Sequence, residues 1–410
     1  VDSVSNLKLG RHRLGRYKLA GKATAAAALI ADYPVRDDAI YINVFDASGA
    51  KTQVITGDAQ TSPLVSVEFE TIVTGCGKFT LVLKKNAVLL AYGQRIDIHL
   101  YGDYYPWYSG YVTEIPKPGS TEETDSYEGN GFFSQLNEVR VNRIYTDTEI
   151  SAIAKNILTV DVIPKKNVLY RGSKIYSTGY TATRVRFNLV KVSDAMKTLA
   201  EMAVDYVYGV DERREFFFKP LVTTINEDAR FWVGRHVMEF KPREDRSKIV
   251  NFFYVKYGSM NSGGSNIYSD EAGNPIAFED ATSQAAYGII ENVLTLPNEA
   301  GAADVERWAY AQLDAKKNPA RTATLAKFTP AVMRRKIKPE GMVAVTSENG
   351  LHNYEYPLKS VKRKWEAKNQ QLTLTMGDYT PGIDSYILKM YRDIQNNEQI
   401  QDSNNEQLKG

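Results

Sequence analysis

The stretch 341–394, GMVAVTSENGLHNYEYPLKSVKRKWEAKNQQLTLTMGDYTPGIDSYILKMYRDI, decides how the chain is read. Its first strand, 342–347, puts Val343 and Val345 on one face. The second, 354–365, opens with a two-residue period through Tyr354, Tyr356 and Leu358 and continues as a bulged or twisted run through Val361 and Trp365. The third, 371–376, sets Leu372, Leu374 and Met376 against Thr373 and Thr375, the alternation a half-buried strand requires. Polar turns at Glu348-Asn349-Gly350 and Ala367-Lys368-Asn369 separate them. Such a meander is a piece of a small barrel or sandwich and holds no enzyme site of its own. After it, Ile383, Ile387, Met390, Tyr391 and Ile394 recur at helical spacing and form a candidate docking helix, followed by a polar tail over 395–410.

Outside this stretch, composition narrows the field. A length of 410 residues leads to an expectation of two to three domains. With 43% hydrophobic and 24% charged residues the chain is of ordinary globular type, and a formal charge of +2 makes no whole-chain case for nucleic acid or membrane. Cys76 has no second cysteine to pair with, which fits folding in a reducing compartment. The small apolar run 25–31 is too short to span a bilayer. Basic residues precede it as in a signal peptide, but Asp32 and Pro34 follow directly, and Val1 fits removal of an initiator methionine. The skew of 26 Tyr against 4 His favours a β-rich assembly protein over an acid/base catalyst.

Along the chain, residues 1–38 form a basic arm in which Lys8, Arg11, His12, Arg13, Arg16, Lys18 and Lys22 surround two Leu-Gly-Arg repeats. It reads as a solvated segment or as a tie to a neighbouring subunit or polyanion. From Ala39, Ile40/Ile42/Val44, Val65/Val67/Phe69, Phe79/Leu81/Leu83 and Ile96/Ile98/Leu100 alternate as short strands of a barrel or sandwich. The aromatics Tyr104, Tyr105, Trp107, Tyr108 and Tyr111 offer either a sugar-stacking platform or core and interface packing. Thr146-Asp147-Thr148-Glu149 is read as a capping box before a helix with Ile150, Ile153, Ala154, Ile157 and Leu158 inward. Ser193 is read as the N-cap of a second helix that leads into a hairpin over 206–220. The strand 248–258 is followed by a polar hairpin excursion or mobile loop, 259–284. A helix then runs over about 303–317 with Val305, Trp308, Ala309, Gln312 and Leu313 inward.

No metal motif, nucleophile elbow or phosphate loop is legible, so no catalytic, metal or cofactor residue is assigned. Glu122 with Glu123, and Asp211 with Glu212, lie in turn signals rather than in a walled cleft. His99 alternates with Ile98 and Leu100, which suits a solvent-facing or hydrogen-bonded ring. Two basic clusters remain, Arg334, Arg335, Lys336 and Lys338, and Lys359, Lys362, Arg363 and Lys364. In a monomer they would be solvated faces; in a ring they would line a channel or meet an acidic neighbour.

The order of segments resembles the hub proteins of phage tails, the family that includes the baseplate hub of contractile phages and the hub half of type VI secretion spikes. Four stretches carry the resemblance. Residues 93–115 lead from a glycine-bounded strand to Gly110, Val112 and Ile115. Residues 144–158 and 192–220 are similar to the helix, and to the helix and hairpin, of the family's inserted domain. Residues 341–394 are similar to its closing strands, with Gly377, Asp378 and Tyr379 before the last helix. The arm 1–38 and the excursion 259–284 have no counterpart, and no lysozyme-like or peptidase segment is visible.

The resemblance implies a mostly β, α+β chain: two small tube-like β-barrel domains (39–131 and 223–380), an inserted α+β domain (132–222) and a C-terminal helix and tail (381–410). It implies a homotrimer whose barrels imitate a sixfold ring, a channel for DNA and tape measure protein, and contacts with tube, distal tail or other baseplate, and tip, spike or fibre proteins. The place would be the virion, after assembly in the host cytoplasm, with no membrane insertion. A carbohydrate-binding tip adhesin using the Tyr104–Tyr111 aromatics, and a cell-wall hydrolase, are the alternatives.

Overall fold

The computed structural model describes residues 40–57, 62–117, 119, 121–204, 206–257, 266–295, 302–366 and 369–377. The basic arm, the stripe Ile383, Ile387, Met390, Tyr391 and Ile394, and the polar tail lie outside them. The described residues open with seven strands: β1 (Ile40–Phe45), β2 (Lys51–Thr56), β3 (Leu64–Ile72), β4 (Gly75–Lys84), β5 (Arg95–Leu100), β6 (Tyr108–Glu114) and β7 (Thr124–Gly131). Their inward side chains, among them Ile40, Ile42, Val67, Phe79 and Leu81, form one hydrophobic core.

A second core is built from β8 (Arg140–Glu149), α1 (Ile150–Ile157), β9 (Thr181–Lys191), α2 (Val192–Ala203), β10 (Tyr206–Val210) and β11 (Phe216–Pro220). The expected inward residues Ile150, Ile153, Ala154, Ile157 and Leu158 are buried in it. The capping box is not formed as read. Thr146 to Glu149 continue β8, and Glu149 itself caps α1, accepting from the Ala152 amide at 2.9 Å, the Ser151 hydroxyl at 2.5 Å and the Thr178 amide at 2.7 Å. Partial burial alone would raise this carboxyl, but the hydrogen bonds from Ser151, Thr178 and Ala152 outweigh it and bring the pKa down to about 2. A depressed carboxylate contributes stability above its ordinary pKa of 4.5. That contribution is lost as pH falls from there towards 2. Glu149→Gln is therefore expected to cost about 1 kcal/mol at neutral pH, as for loss of an N-cap. Urea titrations should show the gap between wild type and variant closing between pH 4.5 and 2; a gap independent of pH would refute the capping role. Ser193 likewise is not the N-cap of α2, which is Lys191. Ser193 lies in the first turn and donates to Asn137 Oδ1 at 2.5 Å.

The rest of the chain forms β12 (Ile225–Trp232), β13 (Val237–Asp245), β14 (Phe252–Tyr257), β15 (Asn266–Ile267), β16 (Ala277–Glu279), α3 (Ala281–Tyr287), β17 (Glu291–Thr295), α4 (Ala302–Lys316), β18 (Ala320–Phe328), α5 (Pro330–Met333), β19 (Met342–Thr346), β20 (Asn353–Glu366) and β21 (Asn369–Gly377). It holds two cores. Leu372, Leu374 and Met376 of β21 join Val343, Val345, Leu358 and Val361 in one, as their alternation requires. The other packs α4, through Val305, Trp308, Ala309 and Leu313, on Phe253 and Val255 of β14. From Asn266 onward the excursion is thus a folded piece, with Tyr268 and Phe278 in that core.

The two expected barrels do not form. Fifteen strands share one sheet whose main path runs β13-β18-β21-β20-β3-β4-β7-β6-β5-β1-β2, and no sheet closes on itself among the described residues. β20 explains why. Its first half pairs with β19, and its second half pairs with β21 on one side and β3 on the other. The edges that could have closed two separate barrels are bonded to each other, so both halves of the molecule share one open sheet with β13 and β2 at its ends. The β10–β11 hairpin of the second core joins this sheet where β10 meets β4. There Gly75 has φ +114°, and a Cβ would lie 1.8 Å from the Val210 carbonyl oxygen, so only glycine fits.

Candidate functional site

The loop between β5 and β6, the β10–β11 hairpin turn and the segment between α5 and β19 converge on one place. Their sequences explain the meeting. The turn Asp211-Glu212-Arg213-Arg214 is charged and projects from an aromatic hairpin, and the 334–340 segment is basic. Glu212 meets Lys338 at 2.8 Å, Lys219 of β11 meets Glu340 at 2.9 Å, and Lys174 bridges Asp211 and, at 2.6 Å, Glu215. Arg213 lies over the Tyr105 ring at 3.7 Å. Burial alone would raise the Glu212 carboxyl, but the Lys338 ammonium holds it below its usual range.

At the centre is Arg363, which composition places on a solvated or channel-facing basic strand. It is 6% exposed. Its guanidinium donates to the Met333 carbonyl at 2.7 Å and the Arg335 carbonyl at 2.6 Å, and lies 4.6 Å from the Trp107 ring centroid. Burial pulls its pKa down to about 10, still high enough to keep the charge at neutral pH. Trp107 is also buried. Its indole donates to Asp103 Oδ2 at 2.8 Å, and its ring meets Tyr101 edge-on at 5.4 Å. Lys336 donates to the Pro106 carbonyl at 2.9 Å, and burial lowers its pKa.

The other cluster members are spread. Arg334 is exposed, Arg335 donates to the Asp228 carbonyl at 3.2 Å, Lys362 pairs with Glu68 at 2.6 Å and Lys364 with Glu366 at 3.1 Å. Lys359 lines a cavity beside the convergence point.

That cavity, about 440 Å³, has an apolar floor that includes Phe69, Trp107, Phe217, Met342 and Leu358. Its three carboxylates, Asp211, Glu212 and Glu340, are each held by a lysine. Cys76 also lines it, but burial pushes its thiol up, away from the thiolate form a nucleophile needs. The place is built to hold parts together or to bind, not to move a proton.

The aromatic group of the β5–β6 region divides. Trp107 and Tyr108 are core residues, whereas Tyr104 and Tyr105 are exposed, so no five-ring platform faces solvent. His99 is hydrogen-bonding distance, 3.3 Å, from the Asp103 carbonyl. Among the described residues no group of three or more His, Cys, Asp or Glu side chains is placed to hold a metal ion, and no helix is long and apolar enough to cross a membrane. Sequence reasoning missed the Arg363–Trp107 contact and the Glu212–Lys338 pair. Both join residues more than a hundred positions apart, and only the alternation of Arg363 with Val361 and Trp365 in β20 hinted that it points inward.

No protein-family model matches the chain, and comparison with curated proteins gives no match. Solved structures do. The 43 kDa tail protein of prophage MuSo2 from Shewanella oneidensis superposes with a TM-score of 0.59 at 12% identity, over 83% of this chain and 97% of that one. The tail protein from Neisseria meningitidis MC58 gives 0.56 at 12% identity, over 83% and 96%. Prophage tail protein gp18 from Listeria monocytogenes EGD-e gives 0.53 at 11% identity, over 87% and 99%. The chain has the fold of these three tail proteins.

Proposed function

We propose that this chain is a structural hub at the distal end of a phage tail tube, a trimeric ring that adapts a sixfold tube to a threefold tip. The observation that carries the reading is a fold shared with three tail proteins, two of them from prophages, over nearly their whole lengths. The open sheet supports it. β13 and β2 end the strand path, and Pro242 sits in β13, at an edge where a missing N–H is tolerated. Pro242 blunts the β13 edge, whereas the β2 edge is a template to which another chain can add, and a heterologous contact that closes makes a ring. Three copies, each contributing two sheet halves joined at β3 and β20, supply six around a channel for tape measure protein and DNA. Tube protein would sit above, distal tail or other baseplate proteins around it, and a tip, spike or fibre protein below. Exposed Arg334, with Lys359, Lys362 and Lys364, are the basic residues assigned to the channel or a partner. Assembly takes place in the host cytoplasm and the product resides in the virion; the role is not enzymatic.

Native mass spectrometry of the purified chain, with negative-stain images of the particles, is expected to give three copies in a ring. A monomer that persists at micromolar concentration and never joins tails would refute this function.

A further inference from the structure

The ribbon of β8 and β9 stands apart from the large sheet and buries one face in the second core, through Val141, Val185 and Phe187. Its other face is open. There Arg140 and Lys191 are directly opposite each other, and Arg186 stands opposite Ile144. Arg140 and Arg186 are exposed and Lys191 is half-buried; among the described residues none of the three is paired with a carboxylate. Ile144 and Leu189 are 53% and 58% exposed on the same ribbon. Leu189 is held at φ +52°, in the left-handed region, where β9 carries an extra residue against β8. Like charges placed directly across a strand pair are destabilising, and a bulge that turns a leucine outward in strained backbone gains nothing from water.

The large sheet carries the opposite arrangement. Glu114 of β6 is directly opposite Glu128 of β7, both are exposed, and among the described residues neither is paired with a cation. An extra residue in β6 at Thr113 brings the two carboxylates into register. Glu128 in turn pairs with Thr80, and Val82, two residues along β4 from it, is half-buried on that face. Each surface lacks what the other supplies, and every copy carries both. A contact between two different surfaces of identical copies is heterologous, the kind that closes into a ring. A phosphate backbone would answer the arginines but offers nothing to Ile144 and Leu189, so the ribbon has the character of a protein-binding face rather than a DNA-binding one.

We propose that the open face of the β8–β9 ribbon of one copy docks on the Glu114–Glu128 face of the next, with Arg140, Arg186 and Lys191 meeting the two glutamates and Ile144 lying towards Val82. The inference rests on the trimeric reading and names the surfaces that make the ring.

Sedimentation velocity over a range of concentrations tests the contact by charge exchange. Wild type is expected to be a trimer. Arg140→Glu with Arg186→Glu, and separately Glu114→Arg with Glu128→Arg, should each raise the concentration of half-assembly by at least about tenfold, because each sets like charges across the contact. All four substitutions in one chain restore the complement and should return it to within about threefold of wild type. The four side chains are exposed, so urea midpoints should stay near wild type. Arg140→Gln with Arg186→Gln, which only removes charge, should weaken assembly in the same direction and serves should a reversed variant fail to fold. Wild-type assembly in both reversed variants, or no recovery with all four substitutions, overturns the docking and leaves the ring standing; a monomeric wild type overturns both. A reversed ribbon that assembles normally but no longer retains duplex DNA would make it a polyanion-binding face and overturn the docking as well.

Discussion

Replacing Arg363 by alanine is expected to lower the stability of the chain by about 3–5 kcal/mol, read as a fall in the urea midpoint of tryptophan fluorescence. Three losses add up. The Met333 and Arg335 carbonyls, turned inward to receive the guanidinium at 2.7 and 2.6 Å, would be left unpaired. An unsatisfied buried polar group costs about 1–3 kcal/mol. The contact with the Trp107 face disappears, and the stem of the side chain leaves a hole where β20 pairs with β3. Arg363→Lys is expected to recover only part of the loss, because a single ammonium cannot serve two divergent carbonyls with the geometry of a planar fork. A loss below about 1 kcal/mol in the alanine variant would show that the guanidinium is not what joins the 333–335 turn to the first core.

Trp107→Ala is expected to cost a similar amount, about 3–5 kcal/mol, as for a large aromatic removed from a core. Its indole fills the space between Tyr101, Arg363 and the cavity, and its N–H satisfies Asp103. In a double-mutant cycle the two losses should not add. A desolvated cation–π contact is worth about 2 kcal/mol, so the double variant should be milder than the sum by roughly that amount. The same variant bears on sugar recognition. A carbohydrate platform would lose glycan binding while keeping the fold; a core residue loses the fold first. Retained wild-type stability together with selective loss of glycan binding would contradict the placement of Trp107 inside the molecule.

Much of the local structure was legible without coordinates. The alternation of Leu372, Leu374 and Met376 places them in a core because a strand's period of two leaves no other face for them. The 3.6-residue spacing of Ile150, Ile153, Ala154 and Ile157 does the same for α1, and that of Val305, Trp308, Ala309 and Leu313 for α4. Caps were read less well. Thr146 and Glu149 have capping-box identities, but β8 holds Thr146 in its ladder with Arg184, so Glu149 alone turns to the helix. Bonding partners in the sheet override a local four-residue signal.

Periodicity and turn chemistry are properties of neighbours in sequence, and so the sequence alone determined the strands with clear alternation, the three longer helices and their buried faces, but not the strands over 225–245 or the short helix over 281–287. The tertiary structure decided what those elements do together. β20 could have ended one barrel; instead it pairs on both sides of its second half and merges two halves into an open sheet, an outcome set by hydrogen bonds to β3, some 290 residues away. Arg363 belongs to a basic run by composition and to the core by position, because two carbonyls and an indole from distant segments surround it. Charge is read from the sequence, but the cost or gain of placing it depends on what the fold puts around it.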